Sequence, residues 1–224
     1  VCRSGAGDQA MKKNGSCFVS IVDSALLRAG VWDPYSYRDA AENESFGRFV
    51  DVSKIRGAAP LASGFKFGPI EYRHIHRGPI PTFTLESSSS LSGDRMCSVG
   101  ESCLLFGTMR AYLGNAIVTP MASWVGEKSP LLFPVKSEFV QVSPKDGLHY
   151  FWWAFMQSPS FLQSLPVGSG GTRPRLLTDQ LLNTPIHVPP RPVRERVHKM
   201  ASAFAEKQWR GYMKVDRLIS STFR

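Results

Sequence analysis

The sequence predicts an α+β fold, a strand-rich body with an internal helical segment, followed by a long C-terminal helix. Three observations predict it. Between residues 46 and 142, short alternating or wholly apolar runs are separated by Gly and Pro, the pattern of strands and turns. From His149 to Leu165 the apolar period lengthens to that of a helix. After Pro189-Pro190 a polar stretch carries one narrow apolar stripe to the C-terminus.

Taken in order, residues 1–15 hold Gly5, Gly7, Lys12, Lys13, Asn14 and Gly15, the composition of an arm or loop. Ser16 to Leu27 is a first apolar segment, Val31 to Tyr37 gathers Trp32, Tyr35 and Tyr37 around Pro34, and Asp39 to Phe46 has the pattern of a brief helix. Residues 1–45 therefore read as an N-terminal arm or lid, 46–190 as the main domain and 191–224 as a terminal helix.

Within the domain, Phe49 to Ile55 alternates and is broken by Arg56 to Pro60. Ile70 to Arg77 alternates again, which as a strand would set Tyr72, His74 and His76 on one face and Arg73, Ile75 and Arg77 on the other. Gly78-Pro79 turns into Ile80 to Leu85, and Ser87 to Ser90 marks an exposed loop. Cys103 to Phe106 is apolar throughout, as a strand buried on both faces would be. Ala116 to Val118, Leu131 to Val135 and Phe139 to Val142 are further strands. Ser158-Pro159 breaks and restarts the helical segment. A loop of three glycines, Gly168 to Arg175, then leads through Leu176 to Leu182 and a last strand at Ile186 to Val188. The terminal helix is expected from about Arg191 to Ser220. Its stripe runs Val193, Val197, Met200 and Phe204, then after a slip Trp209, Tyr212, Val215 and Ile219. Spacing near 3.5 residues suits packing along a second helix.

The formal net charge is +9 in 224 residues, with 42% apolar and 20% charged residues. Residues 1–45 hold 5 Lys/Arg against 6 Asp/Glu, residues 46–190 hold 13 against 9, and residues 191–224 hold 9 against 3. The surplus suits a polyanion, and in the terminal helix equally a solvated face. Cys2, Cys17, Cys97 and Cys103 form no CxxC pair and read as separate thiols of a reducing compartment. With no apolar run of membrane-spanning length and no signal peptide, a cytoplasmic protein without membrane contact is expected.

No catalytic motif is present: no G-x-S-x-G, no H-E-x-x-H, and no glycine-rich loop ending in Lys-Ser/Thr. His74 and His76 lack a third metal ligand at a suggestive spacing, so no metal is expected. Three groups suit nucleic acid better. They are Arg73, His74, His76 and Arg77; Thr108, Arg110 and Tyr112; and Thr172, Arg173 and Arg175 in the glycine loop. Arginine forks match guanine edges and phosphates, and hydroxyls and exposed loop amides match phosphates. Any one of these groups alone is ordinarily a solvated loop; three on one strand-rich body shift the balance.

Several motifs in order resemble a target-recognition domain of the specificity subunits of type I restriction–modification enzymes. They are Pro69 to Arg73 through Gly78-Pro79-Ile80, Val99 to Gly114, Tyr150 to Trp153 with Gln157-Ser158-Pro159, the glycine loop, and Thr184 to Pro190 with Arg194-Glu195-Arg196. Trp32 to Tyr37 is similar to an aspartate–tyrosine motif that precedes such domains. Where the family has a Glu-Gln pair after its prolines, this chain has Arg194-Glu195-Arg196, which leaves the register of the helix open. The resemblance implies a reader of double-stranded DNA without catalytic residues or a cofactor of its own. It directs a methyltransferase subunit that uses S-adenosylmethionine and, in restriction, a motor subunit that uses ATP. With one recognition domain and one helix, the chain is expected to pair through that helix with a second copy or a second recognition domain. The alternatives are a recognition domain of a fused restriction–methyltransferase, an enzyme with an unrecognised site, and a basic module that binds an acidic protein. In the resemblance, the loops around residues 73–77 and 108–112 would read bases, and Thr172, Arg173 and Arg175 would position the backbone.

Overall fold

A computed structural model describes residues 44–55, 69–75, 78–82, 97–126, 128, 131–166, 168 and 172–222. Residues 1–43 of the expected arm, with the motif at Trp32 to Tyr37, and the serine loop, His76 and Arg77 lie outside these residues. The architecture is α+β.

The centre of the body is a four-stranded antiparallel sheet. It is built from β2 (Val50–Lys54), β4 (Leu104–Gly107), β5 (Ala116–Val118) and β7 (Phe139–Pro144), in the order β2-β7-β4-β5. Leu104 stands opposite Val142 on one side and Val118 on the other, so the apolar run at 104–106 is the inner strand its composition demands. Leu104, Leu105 and Phe106 are completely enclosed. A two-stranded ribbon joins β3 (Cys97–Val99) to β6 (Phe133–Val135), and Ile70 bridges to Val135 at its edge. A second ribbon joins β1 (Glu44–Ser45) to β8 (Pro185–Ile186), tying the two ends of the domain together.

Two helices cover the sheet. Helix α1 (His149–Met156) is apolar nearly all round and buries Tyr150, Phe151, Trp152 and Met156. Helix α2 (Pro159–Ser164) restarts where the sequence predicts. Pro159 occupies its first turn, where no N–H is needed, and the Ser158 hydroxyl accepts the Phe161 N–H at 3.3 Å. Phe46, Trp152 and Phe161 meet edge-on or tilted, with Phe46 5.6 Å from Trp152 and 5.2 Å from Phe161. Helix α3 (Thr178–Leu182) is short and buries Leu181. Helix α4 (Arg191–Thr222) follows Pro189-Pro190 as expected and packs on α1 and on the turn Ala122–Val125.

Four local expectations need correction. The described part of that run, Ile70 to Ile75, is not a strand: Tyr72–His74 is a 3-10 turn. Local bonds win there, because the His74 N–H donates to the Glu71 carbonyl at 3.0 Å while the Glu71 N–H donates to His74 Nδ1 at 3.2 Å. Glu44 to Phe46 is not helical, since Glu44 and Ser45 pair with β8 and Phe46 opens a 3-10 turn. Leu131 and Leu132 lie outside β6. The terminal stripe also divides. Val197, Ala201, Ala205, Trp209, Tyr212 and Met213 pack on the body, with Trp209 fully enclosed and its ring stacked on Tyr212 at 5.6 Å. Met200, Phe204, Val215, Leu218 and Ile219 face outward, each between 53% and 69% exposed. Trp209 and Tyr212 are therefore spent within the chain and do not belong to an outward seam.

The register of α4, open in the sequence, is set by Arg194. Its guanidinium pairs with the Asp146 carboxylate, and each side chain is only 14% exposed. Asp146 Oδ1 also accepts the Trp152 Nε1–H at 3.0 Å and the Leu148 N–H at 3.1 Å. A single carboxylate thus ties the start of α1, the central tryptophan and the first turn of α4.

Candidate nucleic-acid interface

The described residues of the three groups are far apart in the chain and adjacent in space, and mostly main-chain hydrogen bonds bring them together. The Arg110 N–H donates to the Pro174 carbonyl at 2.9 Å, the Leu176 N–H donates to the Thr108 carbonyl at 3.0 Å, and Met109 bridges to Arg175. The glycine loop is therefore laced to the turn after β4. Gly168 is needed for this packing, since a Cβ there would lie 3.0 Å from the Arg175 carbonyl. Arg110 has φ 51°, a left-handed conformation that a side chain adopts only under constraint. Its Nη2 donates to the Thr172 carbonyl at 3.4 Å, so the strained residue spans both loops.

Tyr72 joins the first group to the second. Its hydroxyl accepts the Met109 N–H at 3.1 Å and donates to the Glu138 carbonyl at 3.4 Å, where the Thr108 hydroxyl also donates at 3.0 Å. The ring stacks on Phe139 at 4.9 Å and covers Gly107 so closely that a Cβ at Gly107 would overlap it. Burial pushes the Tyr72 phenol up to about 12, against the lowering pull of the Met109 amide bond. The hydroxyl thus stays a neutral donor at physiological pH.

These contacts border a cavity of about 350 Å³ lined by Glu71, Tyr72, Arg73, Lys136, Glu138 and Arg175 among others. Arg73 Nε lies 3.2 Å from Glu71, Lys136 Nζ 3.5 Å from Glu71, and Arg175 Nη2 3.5 Å from Glu138. The cations are 44–66% exposed and the carboxylates 28%. Exposed pairs of this kind contribute about 0–1 kcal/mol, so an incoming phosphate can displace them at little cost. A second hollow of about 170 Å³ lies beside Arg110, lined mainly by Ala111, Tyr112, Leu165, Pro166, Pro174 and Leu176. Tyr112 is 58% exposed at its rim, a flat surface on which a base or sugar can pack.

Arg73, Thr108, Arg110, Tyr112, Thr172, Arg173 and Arg175 thus fall on one connected region. His74 is 8% exposed, and its ring nitrogens meet the Glu71 N–H and the Arg73 Nε–H, each at 3.2 Å. Sequence reasoning missed Lys136, Glu138 and the Tyr72 hydroxyl. The available signal was Lys136-Ser137-Glu138, a polar triplet between two apolar strands, which marks a turn between them. Among the described residues no group of three or more His, Cys, Asp or Glu is placed to hold a metal, and no helix is long and apolar enough to cross a membrane. Cys97 and Cys103 are free thiols.

No family model matches the sequence, and no curated protein matches it. The chain is similar to solved structures, among them these two. One comes from work on the structural basis of complex assembly and conformational transition of the type I R-M system, with TM-score 0.46 and 16% identity over 87% of this chain and 47% of that one. The other is the HsdS subunit from Thermoanaerobacter tengcongensis, with TM-score 0.44 and 15% identity over 79% of this chain and 42% of that one. The chain spans less than half the length of either.

Proposed function

We propose that the protein is a non-catalytic DNA reader, a target-recognition domain with its own pairing helix. More particularly, it acts as a specificity component, with one target-recognition domain, of a type I-like restriction–modification system. It binds double-stranded DNA and directs a partner methyltransferase, which supplies S-adenosylmethionine chemistry, and a motor subunit using ATP where restriction occurs. The observation that carries the reading is the lacing of three sequence-distant cationic and hydroxylic groups into one region through Arg110, Leu176 and Tyr72. The order of motifs along the chain supports the same class.

Roles divide by geometry. Arg73, Lys136 and Arg175 around the cavity, with Thr172 and Arg173 on the adjacent loop, suit phosphates. Arg110 and Tyr112, held at the neighbouring hollow, suit base edges. The outward apolar residues of α4 pair with a second helix.

Fluorescence anisotropy of the full chain on duplex DNA at several salt concentrations tests this. Arg110→Ala/Arg173→Ala/Arg175→Ala weakens binding and lowers the salt slope by about one for each phosphate contact removed. Unchanged affinity and slope in the triple variant would remove the site.

A further inference from the structure

The pairing role given to α4 does not say what kind of helix it accepts. Helix α4 presents three longitudinal zones. One packs on the body through Val197, Ala201, Ala205 and Trp209. The next is the exposed apolar stripe Met200, Phe204, Val215 and Leu218, with intervals of 4, 11 and 3 residues that keep it on one side of the helix. Along the other flank of that stripe runs a row of exposed cations: Arg196, Lys199, Lys207, Arg210, Lys214 and Arg217. Only Arg210 has an ion pair among the described residues, with Glu206 at 2.6 Å. At the C-terminal end the row widens into a groove of about 450 Å³, where Arg210, Lys214 and Arg217 face Ser123 and Trp124.

We infer that α4 docks an amphipathic helix of a different chain, whose edge against this row is acidic. Two features decide the partner. From Arg196 to Arg217 the row extends about 32 Å in a straight line. A second straight helix matches such a line at the same rise per residue, whereas a duplex backbone curves away from it. Self-pairing is disfavoured by the charge itself. A two-fold antiparallel pair sets each flank against the same flank of its mate, so two copies would place one basic row against the other. An acidic edge turns the same row into a selective element. Carboxylate side chains reach the groove at Arg210, Lys214 and Arg217 without displacing any buried pair.

This inference rests on α4 being a pairing element and is independent of whether the recognition face reads DNA. The test uses the full chain and two synthetic amphipathic helical peptides that share a leucine seam. One carries Glu on both edges and the other carries Lys. Anisotropy titration at low salt gives binding of the Glu peptide at least about tenfold tighter than the Lys peptide, with the gap narrowing as salt rises. Lys207→Glu/Lys214→Glu/Arg217→Glu exchanges the preference, a gain that a misfolded variant cannot show. Phe204→Ser weakens both peptides while circular dichroism remains native. Equal binding of the two peptides, binding of neither, or an unexchanged preference overturns the inference. So does a salt-insensitive homodimer, in sedimentation, that ignores the charge reversal. Duplex DNA titrated in parallel separates the two readings. Loss of DNA binding on charge reversal without any peptide preference makes the row a nucleic-acid face, whereas a clear peptide preference in a chain that binds no DNA leaves this inference standing and removes the reader.

Discussion

Asp146→Ala is the substitution that most directly tests how the terminal helix is fixed to the body. It deletes an acceptor for Trp152 Nε1–H and Leu148 N–H and leaves the Arg194 guanidinium enclosed without its carboxylate. Removing one partner of a buried pair costs about 3–5 kcal/mol, most of it the desolvation of the charge left behind. At 14% exposure for both side chains, solvent screens the pair little, so a total of about 4 kcal/mol is expected. In a chain of 224 residues each kcal/mol lowers Tm by about 2–4 °C, giving a fall of about 8–16 °C. Urea unfolding followed by tryptophan fluorescence measures it, because Trp152 is the donor to Asp146. Arg194→Met in the same background recovers part of the loss, because the stranded charge disappears with it. A double-mutant cycle therefore returns a coupling of about 2–3 kcal/mol. Strict additivity of the two changes, or a loss below about 1 kcal/mol for Asp146→Ala alone, refutes the clamp.

Tyr72→Phe keeps the stack on Phe139 but leaves the Met109 N–H unpaired, costing about 1–2 kcal/mol in urea unfolding and weakening DNA binding through the displaced loop. Because the folded Tyr72 phenol titrates near 12 and the unfolded one near 10, its contribution to stability is complete below pH 10 and declines between the two; the alkaline loss is smaller in Tyr72→Phe. His149 is held below the ordinary histidine range, first by burial, with nearby His198 adding to the effect. Its folded form binds protons less readily than the unfolded chain, so stability is full above about pH 6.5 and is lost as the pH falls below it. His149→Gln flattens that acid slope in a Tm-against-pH series, modestly because the ring is partly exposed. Gly107→Ala forces the Tyr72 ring aside and costs about 1–3 kcal/mol in the same urea assay.

The parts of the fold legible in the sequence were those whose signal is local. The all-apolar run at 104–106, the Ser158-Pro159 restart and the Pro-Pro boundary before α4 each occur where their residues place them. The alternation at 70–75 misled because period-two spacing says nothing about side-chain bonds to the main chain, and the Glu71–His74 reciprocal cap closes a turn there. The stripe on α4 was read as one seam because sequence spacing cannot separate a face used by the chain's own body from one left outside. Trp209 and Phe204 are five residues apart and end on different surfaces. At the recognition face the cationic residues were visible as types. Their convergence was not, since it depends on long-range main-chain bonds such as Leu176 to Thr108.

Those main-chain bonds bear on how such a face can change what it reads. The tethers from Arg110 N–H to Pro174 and from Leu176 N–H to Thr108 use backbone atoms, which every residue but proline supplies as a donor. The side chains of Thr172 and Arg173 project from this frame with high exposure and hold none of it together, while Arg73 is exposed and its Nε reaches Glu71 and His74, each at 3.2 Å, pairing of a kind that contributes about 0–1 kcal/mol. By contrast Tyr72, Gly107, Gly168 and His74 build the frame through their own shape, by a phenol between two loops, two missing Cβ atoms and a cap. Substitutions in the first set therefore alter DNA affinity or preference at nearly constant stability, whereas substitutions in the second lower stability and binding together. Arg110 belongs to both sets, because its amide is a tether, its guanidinium crosses to Thr172, and its left-handed backbone is strained. Arg110→Gly separates the two roles. It relieves the strain and keeps the amide, so stability holds or rises while the contribution of the guanidinium to DNA recognition disappears.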